Sequence, residues 1–357
     1  MDTKGPEFRT GTYKDGKITL EKGDKFIFTT EDVIGDETRV SVSYKHICEV
    51  MQKGDKILLN NGLMVFEVDS VDDKNVYTTV LEGGVTSDHK SMYFPEKELK
   101  IEFLSERDKQ DILFGIKHDV DFIALSFVSC KEDLLTVRKF VNDNGGEKID
   151  IIAKIESRQG VNNLRAIAEV SDGIMIARGD LGVEIPYEEL PNIQKQMIDT
   201  CRVIGKRCIT ATEMLESMIH NPRPTRAEIS DVANAVYDGS SAVMLSGETA
   251  AGAYPVEAVR AMAKIVEQAE NNTQYIQKIN DEQFIILTTG EALSHSACTL
   301  ARDLQAKAIV VCTTTGKTAR MVSRFRPQIP IIGLTTDEKA FRQLALSWGV
   351  IPLITLT

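Results

Sequence analysis

The sequence has 357 residues, of which 42% are hydrophobic and 27% are charged, and this balance predicts a globular protein of two or three domains. Its formal net charge of −11 argues against a nucleic-acid partner, because phosphate backbones are bound by concentrated positive charge. No apolar run reaches the ~18 residues that a membrane helix needs, and the polar N-terminus is unlike a signal peptide, so the sequence predicts a cytoplasmic protein without a membrane partner.

The first hundred residues carry the pattern of short β-strands. Alternating apolar and polar residues predict strands at 25–29, 38–43, 56–59, 63–68 and 75–81. Turn sequences such as Asn60-Asn61-Gly62 separate them. Short strands at this spacing are typical of a small antiparallel β-barrel or sandwich, which we expect over residues 5–103.

From Ser105 to about Thr273, strand-like apolar runs alternate with helical patterns. The predicted strands are 121–128, 149–155, 172–177, 207–212 and 241–245. The predicted helices are 134–142, 160–169, 191–204, 227–238 and 256–270. Buried parallel strands with helical crossovers form either a doubly wound sheet or a (β/α)8 barrel.

The residues that end these strands favour the TIM-type barrel. Each strand finishes in polar side chains, which are Ser126, Lys154, Glu156, Arg178, Asp180, Thr212, Ser246 and Glu248. Functional residues at the carboxyl ends of several strands are typical of a TIM barrel, whereas an open sheet concentrates ligand contacts at one switch point.

The number of strands is smaller than a closed barrel requires. Five βα units are visible, and a sixth strand is expected to end at residues 1–4, just before the β-rich insertion. A closed barrel has eight strands. We therefore expect a catalytic domain of residues 1–4 and 104–272 whose first units lie upstream of Met1.

A third α/β segment is predicted over residues 273–357, after a polar linker. Helices at 291–304, 316–325 and 337–346 alternate with strands at 307–312, 329–334 and 350–355. This is a doubly wound pattern. It stops without a closing helix or edge strand, so we expect a partial domain.

The segment Ala153-Lys154-Ile155-Glu156 places opposite charges at a strand end. Side chains alternate along a strand, so Lys154 and Glu156 point to one side, toward the barrel mouth. Asp180 follows one strand later, and two carboxylates on neighbouring strand ends suit Mg²⁺, which takes one or two protein oxygens. Gly179 allows close approach of a ligand, and a helical turn starting there would attract an anion. A plain ion pair and an acidic helix cap remain alternative interpretations.

Thr212 and the segment Ser246-Gly247-Glu248-Thr249 end the last two strands. Both are typical of capping turns, although Ser246 and Glu248 are also suited to polarising a water molecule in the cleft. Gly316-Lys317-Thr318 is similar to the end of a P-loop, but the required earlier glycine position holds Val311. That residue excludes a Walker motif.

The order and spacing of several segments resemble those of pyruvate kinase. They are Met1-Asp2-Thr3-Lys4-Gly5-Pro6-Glu7 and residues 153–156, 177–182, 211–218, 221–235 and 245–250. The resemblance covers nearly the whole chain and is strongest in the barrel. It implies a (β/α)8 barrel with an inserted β-rich lid and a C-terminal regulatory domain. It also implies the glycolytic transfer of a phosphoryl group from phosphoenolpyruvate to ADP, with Mg²⁺ and K⁺ as cofactors.

The resemblance further implies roles for single residues. Lys154 would neutralise the phosphoryl group in transit, and Glu156 and Asp180 would hold Mg²⁺. The amides of Gly179 and Asp180, with Thr212, would bind phosphoenolpyruvate, and Thr212 would relay a proton through water. Further matches are Asp2 and Thr3 for K⁺, Glu7 for K⁺ dependence, Arg9 and Lys90 for the nucleotide, and Thr313, Thr314, Thr315, Gly316, Lys317 and Thr318 for a sugar-phosphate activator. The family is typically homotetrameric.

Some positions depart from the family pattern. Asn61, His89 and Glu213 replace residues common in the family. The Arg, Asn and Ser with which the family contacts phosphate and K⁺ would lie upstream of Met1. We therefore expect this chain alone to have little or no activity. Two alternatives stay open: a pyruvate-kinase-like subunit without catalysis, and another Mg²⁺-dependent barrel enzyme of 2-oxo acids, such as an aldolase. The predicted lid argues against the second.

Overall fold

A computed structural model of the chain describes residues 1–95, 97, 102–271, 284 and 286–355. Within these residues the strands form a seven-stranded sheet, a five-stranded sheet, a three-stranded sheet and a two-stranded pair. The three larger sheets follow the three patterns of the sequence in the same order. We refer to them as the β-rich, barrel and C-terminal segments.

The β-rich segment contains nine strands among the described residues. They are β1 Phe8–Arg9, β2 Lys17–Leu20, β3 Lys25–Thr29, β4 Arg39–Ser41, β5 Lys56–Leu59, β6 Met64–Val71, β7 Asn75–Glu82, β8 Gly84–Ser87 and β9 Ser91–Tyr93, with one short helix at Ile47–Val50. The large sheet has the order β1-β9-β5-β6-β7-β3-β4, and β2 pairs with β8. The strands predicted at 25–29 and 56–59 are confirmed with identical bounds.

The two outer strands of this sheet meet and close it. Thr10, next to β1, forms an antiparallel bridge with Val42, next to β4, and Gly11 N donates to Ser41 O at 2.7 Å. The expected antiparallel pairing is found in six of the seven described strand pairs of this segment, and the exception is the parallel pairing of β3 with β4. The chain between them crosses over instead of making a tight hairpin, which antiparallel neighbours would allow.

The barrel segment contains five parallel strands in sequential order. They are β10 Phe122–Leu125, β11 Asp150–Ile155, β12 Gly173–Ala177, β13 Arg207–Ala211 and β14 Ala242–Met244, and each lies within its predicted range. Every residue of β12 and β13 is buried, as expected for parallel strands covered by helices. Asp2 forms a parallel bridge with Ala124, so the first residues pair beside β10, where a sixth strand was predicted.

The helices of the barrel segment follow the strands. They are Glu106–Lys117, Lys131–Asp143, Arg158–Asn162, Leu164–Val170, Arg178–Glu184, Leu190–Val203, Arg226–Tyr237, Gly247–Ala250 and Pro255–Glu270, with a 3₁₀ turn at Glu216–Ile219. The prediction of one helix over 160–169 is wrong. Asn163 separates two helices, because its backbone leaves the helical region (φ −96, ψ 8) and its side chain donates to Ser129 O at 2.9 Å.

The C-terminal segment alternates helices and parallel strands. Its elements are helix Thr289–Asp303, β15 Ile309–Cys312, helix Lys317–Arg324, β16 Ile331–Thr335, helix Glu338–Leu344 and β17 Val350–Ile354, in the sheet order β15-β16-β17. All six predicted elements are confirmed, with no end shifted by more than two residues. The predicted linker at 271–283 lies, apart from Asn271, outside the described residues. None of the described helices combines the length and the apolar character that crossing a bilayer requires.

Candidate active site

Lys154, near the carboxyl end of β11, is surrounded by oxygen atoms. Its Nζ lies 3.1 Å from Glu156 Oε1 and 3.4 Å from Asp2 Oδ2, and it donates to Ser126 Oγ at 2.8 Å. Burial alone lowers the pKa of Lys154, but the charges of Glu156 and Asp2 outweigh burial and hold it above its ordinary value. The ammonium group is therefore a permanent positive charge at the mouth of the sheet.

Glu156, directly after β11, is 1% exposed. Its Oε2 accepts from Phe127 N at 2.6 Å. Burial raises the pKa of Glu156 to about 7, Lys154 acts to lower it, and the negative charge of Asp180 raises it further. Glu156 and Asp180 thus lie close enough to repel each other, although they come from different strand ends.

These two carboxylates fit a divalent metal ion of the Mg²⁺ type. A dication would offset both the cost of burying the charged form of Glu156 and the repulsion from Asp180, which together raise the pKa of Glu156. Within the described part of the chain, no group of three or more His, Cys, Asp or Glu side chains is arranged for a metal. Two carboxylates with open positions suit Mg²⁺, which keeps water and substrate oxygens.

Gly179 and Asp180 lie in the first turn of helix Arg178–Glu184, immediately after β12. Gly179 N donates to Thr212 Oγ1 at 2.7 Å. The structure thus brings together two of the predicted substrate groups from neighbouring strands. Thr212 itself adopts a left-handed backbone with φ 68, which is costly for a β-branched residue.

Arg178 holds this strained turn in place. Its Nη2 donates to Thr212 O at 2.7 Å, and its Nη1 donates to Asp231 Oδ2 at 2.7 Å. The side chain is buried, and the guanidinium makes further hydrogen bonds to Glu213 O and Met214 Sδ of the same turn. It ties the turn after β13 to helix Arg226–Tyr237.

Glu248 supports the same turn from the next strand. It is fully buried, and its two carboxylate oxygens accept from Leu215 N at 2.9 Å and from Ser246 N at 2.7 Å. The Ser246 side chain makes no cap hydrogen bond. Glu248 therefore contacts the backbone of two neighbouring turns, and its catalytic role, with that of Ser246, stays a prediction.

The two predicted K⁺ ligands lie beside Lys154. Thr3 O accepts from Ser126 Oγ at 2.8 Å, and Thr3 Oγ1 accepts from Ser126 N at 3.2 Å. Ser126 in turn accepts from Lys154, so it links Thr3 to the ammonium group. Asp2 reaches the same group directly and is largely exposed.

The predicted nucleotide residues lie in the β-rich segment. Arg9 donates from Nε to Glu7 Oε2 at 2.9 Å and from Nη1 to His89 O at 2.7 Å. Lys90 pairs through its backbone with Thr10. Among the described residues, the hydrogen bonds of Arg9 thus go to this segment and not to the Lys154 cluster.

The predicted effector loop, Thr313–Thr318, follows β15 in the C-terminal segment. Gly316 has φ 75 and precedes helix Lys317–Arg324. A Cβ at Gly316 would lie 3.1 Å from Leu344 Cδ2, so both the turn and the packing favour glycine. The loop belongs to a different sheet from the Lys154 cluster.

Two residues of the site escaped the sequence analysis. Tyr93, at the end of β9, donates its hydroxyl to Asp180 Oδ1 at 2.8 Å. Burial raises the pKa of Glu184 to about 7, and the charge of Asp180 contributes to the rise. No sequence signal distinguishes Tyr93 from other aromatic residues in strands. Glu184 could have been found, because residues four positions apart on one helix are neighbours and Asp180 was already a predicted site residue.

Comparisons with known proteins agree on one family. The family profile "Pyruvate kinase, barrel domain" matches residues 1–259, and "Pyruvate kinase, alpha/beta domain" matches residues 291–356. The pyruvate kinase of Clostridium acetobutylicum is 48% identical over 99% of this chain and 76% of its own length. That of Geobacillus stearothermophilus is 47% identical over 98% of this chain and 60% of its own length. The crystal structure of a pyruvate kinase from Cryptosporidium parvum superposes with a TM-score of 0.95 at 40% identity, covering all of this chain and 74% of that one.

Proposed function

The chain belongs to the pyruvate kinase family of phosphotransferases, and we propose that its barrel mouth transfers a phosphoryl group from phosphoenolpyruvate to ADP. The observation that carries this proposal is the convergence of Lys154, Glu156 and Asp180. The half-buried ammonium of Lys154 lies 3.1 Å from the carboxylate of Glu156, and the negative charge of Asp180 acts to raise the pKa of that carboxylate. Phosphoryl transfer needs such positioned charge more than covalent chemistry.

Lys154 acts on the transferred group. Its Nζ is held by Glu156 and Ser126 from within the barrel segment, so the ammonium needs little reorganisation when negative charge develops near it. A preorganised cation in a partly water-excluded cleft stabilises equatorial phosphoryl oxygens more strongly than a solvated one.

The cations complete the charge balance. Glu156 and Asp180 would hold Mg²⁺, and Asp2 with Thr3 would hold K⁺. When bound, these ions supply positive charge next to the phosphoryl oxygens. Arg9 and Lys90 would contact the nucleotide from the β-rich segment, which acts as the lid.

Phosphoenolpyruvate is bound at the turn between β12 and β13. The amides of Gly179 and Asp180 open a helix, where free N–H groups favour an anion. The Thr212 hydroxyl accepts a hydrogen bond from the Gly179 amide at 2.7 Å. We propose that a substrate oxygen replaces this hydroxyl as the acceptor. Thr212 then lies next to the bound enolate and relays a proton to it through water.

We further propose that the five parallel strands are part of an eight-stranded barrel. Residues of the outer strand β14 are only half-buried, in contrast to the fully buried β12 and β13. Additional strands would cover that edge and supply further phosphate contacts. On this basis the 357-residue chain alone turns over weakly. Thr313–Thr318 would bind a sugar phosphate, and the complete protein would be a homotetramer.

The test is a lactate-dehydrogenase-coupled assay with phosphoenolpyruvate and ADP. We would compare the 357-residue chain with a chain extended by the upstream segment of the Clostridium acetobutylicum relative, each with and without Mg²⁺ and K⁺. We expect strong turnover from the extended chain, little from the shorter one, and loss of turnover when either ion is omitted.

The same assay separates the proposal from a non-catalytic subunit. Circular dichroism and gel filtration first establish that both chains are folded. A folded extended chain without turnover under saturating substrate and ions would contradict the proposed reaction and favour an assembly role.

A further inference from the structure

Tyr93 connects the β-rich segment to the candidate metal carboxylate. It is the last residue of β9, is 6% exposed, and donates its hydroxyl to Asp180 Oδ1 at 2.8 Å. Asp180 lies in a helix of the barrel segment. This hydrogen bond therefore crosses between two separately built sheets.

The backbone of Tyr93 is fixed from both sides. Strand β9 lies between β1 and β5 in the closed sheet, and Tyr93 itself is in register with Leu58 of β5. The phenol therefore cannot follow Asp180 freely. The hydrogen bond to Asp180 therefore depends on the position of the β-rich segment relative to the barrel segment.

A second contact joins the same two elements. The backbone N–H of Phe94, the residue after Tyr93, lies close enough to the carboxyl group of Glu184, which ends the helix of Asp180, to act on its pKa in the lowering direction. A cavity of about 180 Å³ lies beside this junction, with Phe8, Tyr93, Phe127 and Glu184 in its wall. The junction is thus held by specific polar contacts and not by close packing alone.

We propose that Tyr93 is a positioning residue that holds one oxygen of Asp180 and so aims the other at the metal. This inference rests on the proposed role of Asp180 as a Mg²⁺ ligand. A carboxylate that accepts a hydrogen bond on one oxygen has a restricted orientation, and loss of a partner that orients a metal ligand typically weakens metal binding by about 10–100-fold. The geometry also couples the orientation of the β-rich segment to metal affinity.

The variant that isolates this role is Tyr93→Phe, which keeps the ring and removes the hydroxyl. A matched control exists in Tyr77→Phe, because Tyr77 donates to Asp72 Oδ2 at the same distance of 2.8 Å on an exposed turn of the β-rich segment. The readout is direct binding of Mn²⁺ to the 357-residue chain, followed by electron paramagnetic resonance, so turnover is not needed. We expect about tenfold weaker Mn²⁺ binding in Tyr93→Phe and unchanged binding in Tyr77→Phe.

Asp180→Asn separates failure of this inference from failure of the proposed function. If Asp180→Asn weakens Mn²⁺ binding while Tyr93→Phe binds as wild type, the positioning role is wrong and the metal site stands. If the wild-type chain does not bind Mn²⁺, or Asp180→Asn binds it equally well, both are wrong. A Tyr93→Phe chain that loses Mn²⁺ only together with its far-ultraviolet circular dichroism signal also contradicts the proposal, because the hydroxyl would then be structural.

Discussion

The two ends of strand β11 carry charge clusters of different kinds. At its start, Asp150 accepts from Arg207 Nη1 at 2.7 Å, and Arg320 Nη1 lies 3.5 Å away. At its end, Lys154 meets the carboxylates of Glu156 and Asp2. Asp150 and Arg207 in the first cluster and Glu156 in the second are buried, but only the second cluster combines one cation with several carboxylates and a pKa near 7.

The amino end of the sheet binds the C-terminal segment. Arg342 pairs with Asp119 at 2.7 Å and with Asp121 at 2.8 Å, and Gln343 Nε2 donates to two barrel carbonyl groups, those of Asp121 and Lys148. Here opposite charges are matched across an interface, which fixes two segments together.

The comparison teaches that the same residue types do different work at opposite ends of one strand. At the amino end, oppositely charged side chains pair with each other within the barrel segment and across the interface, whereas at the carboxyl end several carboxylate oxygens surround the single cation of Lys154. Catalytic groups of barrel enzymes lie at the carboxyl ends, and the other end serves stability. The following changes test that division.

The largest effect is expected from Lys154→Met in the chain extended upstream. Removal of the cation that we propose to face the transferred group should lower kcat about a thousandfold, while the thermal midpoint stays above the assay temperature. The coupled assay measures the first and calorimetry the second. Turnover within a few-fold of wild type would remove the role that Lys154 has in the proposed reaction.

At the opposite end, Arg207→Met should act on stability instead. It leaves Asp150 buried with only the more distant Arg320, and should lower the free energy of unfolding by about 2–4 kcal/mol. Urea unfolding measures this change, and Mn²⁺ affinity should not move. The double variant Asp150→Leu with Arg207→Met should recover much of the loss, because an apolar pair avoids the unpaired charge. If the double variant recovers no stability, the unpaired charge of Asp150 is not the cause of the destabilisation in Arg207→Met.

Glu184→Gln should give a smaller, pH-dependent effect at the mouth end. Burial raises the pKa of Glu184 from 4.5 to about 7 in the folded protein, so the folded state binds this proton more tightly than the unfolded chain. The resulting stabilisation is present below about pH 4.5 and is lost as the pH rises through about 7. The glutamine cannot ionise, so the variant should be more stable than wild type by about 1–3 kcal/mol at pH 8 and nearly equal at pH 4.5. Urea unfolding at both pH values measures this difference, and a difference that does not change with pH would contradict it.

The smallest effect is expected from Lys148→Met. Lys148 pairs with Asp337 of the C-terminal segment at 2.6 Å, but its side chain is 72% exposed, and solvent screens such pairs strongly. Neither the urea midpoint nor turnover should change measurably. A clear loss of either would show that the exposed pairs of this interface matter as much as Arg207.

Much of the fold and part of the site could be predicted from the sequence. The five barrel strands were found because continuous apolar runs mark buried parallel strands. Lys154 and Glu156 were found because they break such a run at its end. Helix Glu106–Lys117 was not predicted. Its start could have been recognised, because Ser105 caps the helix by accepting from Asp108 N at 3.1 Å, and serine followed by acidic residues is a typical helix start.

Other features depend on long-range contacts. Tyr93 and Asp180 are 87 residues apart in the chain, and no local pattern indicates that they meet. The break at Asn163 depends on the carbonyl group of Ser129, which lies outside the predicted helix. The parallel pairing of β3 and β4 likewise depends on how the intervening chain crosses the sheet.

The sequence by itself determined the elements and the chemical character of their ends, because hydrophobic periodicity and strand alternation are local properties. Only the tertiary structure decided which charges are matched and which remain available, because burial and partner distance set the pKa of a group. Asp150 and Glu156 are both acidic residues at the ends of one strand. Their surroundings alone make the first part of an interface and the second part of a site.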